Sequence, residues 1–523
     1  MSRTRFLIKP DAWNKLISNL TSVYGLPEIN LSLILYCRQG TQIFELVFVN
    51  NTCSFRSYNK QDDSDHRHID HFKSTPPIRI ENKNIKFLLK IITQLGFTKA
   101  QIGEATRIDF KQNDQLVVSL KLGSLIGNIA TVHGEIPELH LIRECAEREI
   151  NPEDIDEMVR ERQHPEEEII NHLGIVNSRI QNYANRFCLD LSSGVSSIAL
   201  KLGAKSNDYS VYEEQYNVIL GHDLSSLAPT PYQEHFFKPM SIIMPSYNSE
   251  ATVVKTLYSI QSQGLTSQQK AALDVIVIDD GSVQRLNDAL APHLANFEFK
   301  PRVIRLENNC GISAARNTGL SYSIYDKVLF IDSDILLMSN YLYEVSIRLQ
   351  VIPVAACFSL KENIEPTVEL AQIERIRQGL PIARNYADKR LFRTFDREDP
   401  GTYDVHTSGI FEILNETNSL KNFGNGRCIN GYDLPSAVIG HNLGVRKTMA
   451  RAAGGFSEEF VGWGMEDAYF GAKVISNGNF IIPMLNTGVY HIDHPPRAGS
   501  PEAQREACLK NISKYNELIH REI

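Results

Sequence analysis

Between Met240 and Ile331, four short apolar runs alternate with turn residues and helical segments. The runs are Ser241-Ile242-Ile243-Met244-Pro245, Asp274 to Ile278, Pro301 to Leu306 and Lys327 to Ile331. Val253 to Ser262 and Ser313 to Tyr322 are the predicted helices. Apolar runs of strand length, without period-2 alternation, predict strands buried on both faces. Strands interleaved with helices predict a mostly parallel sheet covered by helices, an α/β fold. In such sheets ligands gather outside the carboxyl ends of the strands, and the polar clusters of this chain fall at those ends.

Val328-Leu329-Phe330-Ile331 ends in Asp332-Ser333-Asp334. Carboxylates there can hold a hard divalent cation, Mn²⁺ or Mg²⁺, which in turn holds a diphosphate. The competing reading is a turn cap plus a solvated acid. After the first strand, Pro245-Ser246-Tyr247 shapes a turn whose Tyr247 can lie flat on a nucleobase or simply pack. After the second, Asp279 and Asp280 precede Gly281-Ser282. Carboxylates accept hydrogen bonds from a base N–H or from ribose hydroxyls. Asp-Gly is also turn chemistry, but a turn needs only one Asp.

Ser313 is expected to cap a helix whose positive end faces the ligand zone. Arg316, one turn in, is placed to grip a phosphate or a base edge; the alternative is a surface arginine. In Gly462-Trp463-Gly464-Met465-Glu466-Asp467 the glycines let backbone and Trp463 approach a ligand. Glu466 and Asp467 begin a helix, a place acids favour on electrostatic grounds alone. His491 and His494 sit in Tyr490-His491-Ile492-Asp493-His494-Pro495-Pro496, where neutral imidazole would complete a two-carboxylate metal site.

The remaining chain sets boundaries. Residues 1–195 read as an α+β domain, 196–237 as a linker and 238–523 as the α/β domain. Leu31 to Tyr36, Ile43 to Val49 and Gln115 to Leu122 read as strands. Lys86 to Leu95, Pro137 to about Arg162, and Pro165 to Leu173 read as helices, and Leu202 to Lys238 as a connector. A net charge of -8 argues against a general nucleic-acid binder. None of the eight cysteines forms a C-x-x-C pair, which fits a cytoplasmic protein without a zinc ribbon or disulfide framework. The start, MSRTRFLIKPDAWNK, lacks the apolar core of a signal peptide. No run of about 18 apolar residues predicts a membrane span.

SIIMPSYN, VIVIDDGS, NNCGISAARNTGL, FIDSD and GWGMEDAYF, in this order over about 240 to 495, resemble the nucleotide-sugar-dependent glycosyltransferases of family 2, which have the GT-A fold. The GWGMED segment and the later histidine resemble the chondroitin-polymerase and galactosyltransferase-like members. The resemblance implies that Pro245, Tyr247, Asp279 or Asp280, and Arg316 bind the nucleotide. It implies that Asp332 faces ribose and metal, that Asp334 is the principal metal ligand and that His491 is a further one. Asp467, or else Glu466, would be the base that deprotonates the acceptor hydroxyl, with inversion at the anomeric carbon, although related GWG-acid segments also occur in retaining peptide transferases. The donor implied is a UDP-sugar, and the acceptor a glycan, a lipid-linked sugar, a peptide or a small metabolite.

Phe55-Arg56-Ser57-Tyr58, Leu95-Gly96-Phe97, Ala105 to Phe110, Leu122 to Gly127, Pro165-Glu166-Glu167, Leu173-Gly174-Ile175 and Tyr183 resemble the CYTH family, the triphosphate-tunnel β-barrel. That family's N-terminal E-x-E-x-K is missing, and 130–135 (ATVHGE) is poor in acids, so the resemblance implies a degenerate domain that binds acceptor or partner. Three other functions compete: a nucleotidyltransferase, a non-catalytic sugar-nucleotide or glycan-binding protein, and a phosphohydrolase in the first half. GWGMED and SAARN speak against the first, and the intact acid set against the second. The missing acid pattern argues against the third.

Overall fold

The computed structural model describes residues 3–39, 42–60, 72–74, 78–80, 99–124, 127–150, 182–183, 197–204, 207–382, 438, 440–494 and 500–521. The expected helices at Lys86 to Leu95 and Pro165 to Leu173 lie outside these residues. So do the Leu95-Gly96-Phe97, Pro165-Glu166-Glu167 and Leu173-Gly174-Ile175 segments. The chain divides into two compact units. The first comprises Met1–Ser196, Val211–Gly221 and Val351–Pro353; the second comprises Ser197–Ser210, His222–Gln350 and Val354–Ile523.

Among the described residues the first unit carries a ten-stranded antiparallel sheet. Its strands are β1 (Arg3–Ile8), β2 (Glu28–Gln39), β3 (Gln42–Val49), β4 (Thr52–Lys60), β5 (Phe72–Ser74), β6 (Ile78–Ile80), β7 (Lys99–Gln112), β8 (Gln115–Ser124), β9 (Gly127–His133) and β10 (Ala146–Ile150). They are ordered β10-β1-β9-β8-β7-β2-β3-β4-β5, with β6 also paired to β4. The helix Trp13–Tyr24 buries Trp13, Leu16, Ile17 and Leu20, one face at helical spacing. Within the sheet, buried Asp109 accepts hydrogen bonds from Asn30 Nδ2 (2.9 Å), Arg107 Nε (2.8 Å) and Ser119 Oγ.

Two expectations are corrected here. The helix after Pro137 spans only Leu139–Cys145, and the chain then turns into β10 along β1. Glu147, Arg148 and Glu149 are exposed on that edge strand, where charge discourages further pairing. The expected connector is also not structureless: it carries helices Ile198–Ala204 and Ser210–Leu220. Tyr212, Gln215, Tyr216 and Ile219 are buried on the latter, and Tyr212 Oη donates to Asn50 Oδ1 at 2.8 Å.

Among the described residues the second unit carries an eight-stranded mixed sheet: β11 (Ser241–Ser246), β12 (Asp274–Asp279), β13 (Arg302–Arg305), β14 (Lys327–Ile331), β15 (Ile335–Leu337), β16 (Ala355–Ile364), β17 (Asn442–Arg446) and β18 (Phe480–Ile492). Its order is β13-β12-β11-β14-β17-β16-β18-β15. The four strands at the β13 end are mutually parallel, as the alternation of strand and helix requires. β17 runs antiparallel to β14 and β16, β18 is parallel to β16, and β15 returns antiparallel to β18. β11 and β12 are buried along their whole length, as is β14 beyond its first residue, so their apolar runs are the core itself. Phe330 from β14 meets Phe456 edge-on (5.1 Å), and Phe456 stacks on Phe470 (4.3 Å). Such pairs add about 0.5–1.5 kcal/mol each beyond the area they bury. Among the described residues no helix is long and apolar enough to cross a membrane.

Candidate active site

The first three strand ends form a stitched rim. Pro245 is buried in β11, and Tyr247 just beyond it is 38% exposed. Asp279 Oδ1 accepts the Ser282 N–H (3.0 Å), and its Oδ2 pairs with Arg305 Nη1 (2.5 Å). Burial opposes ionisation of Asp279, but these bonds outweigh it and hold the carboxyl below the usual range. Asp280 accepts the N–H groups of Cys310 (2.7 Å) and Gly311 (2.9 Å); burial raises its pKa in spite of them. Both acids of D-D-G-S therefore tie strand-end loops to one another. Ser313 does not cap its helix. The cap position is Gly311, and Ser313 lies buried in the first turn.

The fourth strand end is assembled by register. Asp334 follows the turn after β14, and β15 begins at the next residue, with Ile335 opposite His491 of β18. The Ile492 N–H also donates to the Asp334 carbonyl at 3.0 Å. Asp334 is thereby brought to His491, with Oδ1 3.7 Å from His491 Nε2, and to His494, with Oδ2 3.3 Å from its Nε2. One ligand atom from each of Asp334, His491 and His494 lies within 4.8 Å of the others. Burial holds the His491 imidazole below its ordinary pKa even with Asp334 beside it, which favours the neutral, ligating form. A buried carboxylate with two imidazoles is a donor set that suits a first-row divalent ion, so these residues fit a metal. Asp332 is not one of this trio, though its charge acts on His491, and its Oδ1 is engaged elsewhere.

Its partner is Arg316. The guanidinium is 1% exposed, so it is neither a surface arginine nor open to solvent. Its Nη2 donates to Asp332 Oδ1 (3.0 Å) and its Nη1 to Glu466 Oε1 (3.2 Å), and it lies 4.9 Å from the Phe456 ring centroid. Burial opposes its charge, but Asp332, Glu466 and Asp467 together raise its pKa. One arginine thus joins the acid that follows β14 to the acid that opens the helix Glu466–Ser476, which lies 150 residues after the arginine itself. A Cβ at Gly440 would come within 2.5 Å of the guanidinium, so this glycine makes the space.

Glu466 and Asp467 diverge in environment. Glu466 is buried; burial and the nearby Asp467 push its carboxyl up to about 7, although Arg316 pulls the other way. Asp467 is half-buried, and its Oδ2 accepts the Gly440 N–H at 3.4 Å. Trp463, three residues before Glu466, is 49% exposed. Sequence reasoning missed Gly440 altogether, and of the two histidines it weighed for a metal it assigned only His491. The three-residue spacing of the histidines was the one available signal.

Residues 241–416 match the family model for glycosyl transferase family 2. The second unit carries a glycosyl transferase family 2 domain. The chain is 33% identical over 190 residues to the glycosyltransferase GlyA of Streptococcus pneumoniae serotype 4, covering 35% of this chain and 23% of that one. It is 23% identical over 297 residues to the chondroitin synthase of Pasteurella multocida, covering 54% of this chain and 28% of that one. The chain therefore spans less than a third of the length of these curated relatives. Among solved structures, TarS of S. aureus in complex with UDP aligns with a TM-score of 0.35 at 18% identity, covering 54% of this chain and 64% of that chain. The family 2 match begins at the first residue of β11 and takes in the strand ends up to Asp334; Glu466, Asp467, His491 and His494 lie beyond it.

Proposed function

We propose that the second unit is a metal-dependent glycosyltransferase of GT-A type that moves a sugar from a nucleotide-diphosphate donor, a UDP-sugar, to an acceptor hydroxyl with inversion. The observation that carries this reading is the joining of three motifs in one place. Asp334 meets His491 and His494, while Arg316 ties the neighbouring Asp332 to Glu466, beside Asp467. The family 2 match supports the reaction class.

Asp334, His491 and His494 would hold a Mn²⁺ or Mg²⁺ ion, which when bound neutralises charge growing on the departing diphosphate. Tyr247, exposed beyond Pro245, receives the base, and the Asp279 and Asp280 hydrogen bonds hold the loops that frame it. Asp332, steadied by Arg316, faces the ribose. Asp467 takes the proton from the acceptor oxygen as that oxygen attacks the anomeric carbon. A carbon–oxygen bond forms to the acceptor, the bond to the diphosphate oxygen breaks, and its electron pair leaves with the nucleoside diphosphate. Glu466 is the alternative base, although its Oε1 already accepts from Arg316. Trp463 offers a flat apolar face to a sugar ring.

The first unit is read as a degenerate triphosphate-tunnel domain serving acceptor or partner binding. What supports this is its antiparallel sheet with Asn30, Asp109 and Ser119 buried as one polar group. Purified protein, screened against a panel of UDP-sugars with and without Mn²⁺, tests the main reading. Metal-dependent release of UDP from one donor is expected, and no release from any donor over the panel would overturn it.

A further inference from the structure

The helix Pro501–His520 lies outside the family match and contains no residue used in the chemistry above. One of its side chains nevertheless reaches the acid loop. Asn511, 4% exposed, donates from Nδ2 to three carbonyls: Val461 (3.2 Å), Trp463 (3.2 Å) and Gly464 (2.9 Å). Two amide hydrogens serve three acceptors, so the loop closes around this one group.

The loop needs such a clamp. Gly462 (φ 81°) and Gly464 (φ 98°) take positive φ freely as glycines and so leave the loop many alternative conformations, whereas Met465 (φ 72°) is held in one that a side chain disfavours. The helix supplies a fitted floor as well. A Cβ on Gly462 would sit 3.3 Å from the Ala507 Cβ, and one on Gly464 3.4 Å from Cys508 Sγ. Ala507, Cys508, Asn511, Tyr515 and Leu518 share one helical face. Tyr515 and Leu518 continue it into a cluster with Phe460, Ala468 and Ala472, which anchors the loop's entry and the helix Glu466–Ser476. The loop between these two anchors carries Trp463 and leads straight into Asp467.

We infer that Asn511 is the positioning residue of the acceptor side: it fixes the Val461–Gly464 backbone and thereby sets where Trp463 and Asp467 stand. The inference rests on the transferase reading for its kinetic consequence but not for its structural one. A misplacement of about 1 Å at a reacting group can cost roughly a hundred-fold in rate. Donor contacts, which lie at the β11, β12 and β14 ends, are left alone.

The test is Asn511→Ala, which keeps the helix because alanine is the best helix former. Lys510→Ala, at a side chain 74% exposed on the same helix, is the control. The chain has two tryptophans, so in a Trp13→Phe background emission reports Trp463 alone. Asn511→Ala is expected to lower kcat for transfer by about ten- to a hundred-fold. UDP affinity should stay within about two-fold, and Trp463 should become more open to acrylamide quenching. Lys510→Ala should change none of these. Unchanged kcat and quenching in Asn511→Ala would overturn the inference, as would a loss of UDP affinity in step with kcat, which marks a general structural role. Were the native enzyme to transfer no sugar, the transferase reading would fall, and the quenching comparison would still decide whether Asn511 holds the loop.

Discussion

Replacing Gly440 by alanine adds one methyl group at the point where three acids converge. The added Cβ would lie 2.5 Å from the Arg316 guanidinium, whereas ordinary contact begins near 3.4 Å, so about 0.9 Å must be found. Gly440 does not occupy a left-handed conformation, so the alanine backbone itself carries no penalty and the effect is purely steric. Two responses are open. If the guanidinium retreats, its bonds to Asp332 (3.0 Å) and Glu466 (3.2 Å) stretch beyond hydrogen-bonding range. Each is charge-assisted and worth roughly 1.5–3 kcal/mol. If the backbone retreats instead, the Gly440 N–H is drawn away from Asp467, to which it donates at 3.4 Å. Either way the acids move. A stability loss of about 3 kcal/mol should lower Tm by roughly 5 to 10 °C. Displaced acids should lower the rate of UDP release in the presence of acceptor by roughly a hundred-fold. Adding Arg316→Lys removes the planar head that clashes, so the double variant should lose less than the sum of the singles. Thermal unfolding and a coupled UDP assay measure both quantities. A Gly440→Ala protein with native Tm and native turnover would refute the claim that the buried Arg316 bridge organises the site.

Three other perturbations separate the roles of the acids. Asp334→Asn should abolish transfer while leaving Tm unchanged, and full activity at saturating Mn²⁺ would sink the metal assignment. Asp467→Asn should lower turnover with little loss of donor affinity; a large drop in UDP binding would give this residue a different role. Glu466 concerns pH. Its folded pKa, about 7, lies above the ordinary 4.5, so the folded chain holds this proton more tightly than the unfolded one. The resulting stability is present below the unfolded pKa and is lost as pH rises from about 4.5 through 7. Glu466→Gln should flatten Tm against pH over that window. An unchanged slope would show that the carboxyl titrates normally.

The parallel half of the sheet was legible because its strands are apolar throughout and its turns fall where polar residues interrupt. Lys327 to Ile331 was read with the bounds β14 has. The antiparallel half was not. β18 runs for 13 residues through Pro483, Asn486, Thr487 and Gly488, so it shows neither an unbroken apolar run nor clean alternation. Its neighbours β16 and β15 lie more than a hundred residues earlier in the chain. The helix Ser210–Leu220 hid for another reason. It buries Tyr212, Gln215 and Tyr216, residues whose polar groups blur a hydrophobic period. The helix expected through Arg162 failed at Ala146 because a sheet edge won over local helical preference, and nothing within 146–150 announces a partner at residues 5–8.

The same division explains the site. Each acid could be found singly, since an acid after an apolar strand or at a helix start is a local event. What no local pattern carries is which acids share a cation. Arg316 lies one turn into its helix, the position of a phosphate-gripping or solvent-exposed side chain, yet it is sealed between residues 332 and 466. The sealing depends on Gly440 having no side chain and on Phe456 stacking beneath, two facts that exist only once β17 has paired with β14. His491 and His494 likewise look equivalent in sequence. Register makes the difference: His491 stands opposite Ile335 inside the sheet and is half-buried, whereas His494 comes two residues after β18 ends and is exposed. A half-buried histidine and an exposed one beside the same carboxylate differ in how well they are held in place, so the two should differ in consequence. His491→Ala should weaken Mn²⁺ binding, read by calorimetry, more than His494→Ala does, and equal losses would refute the distinction.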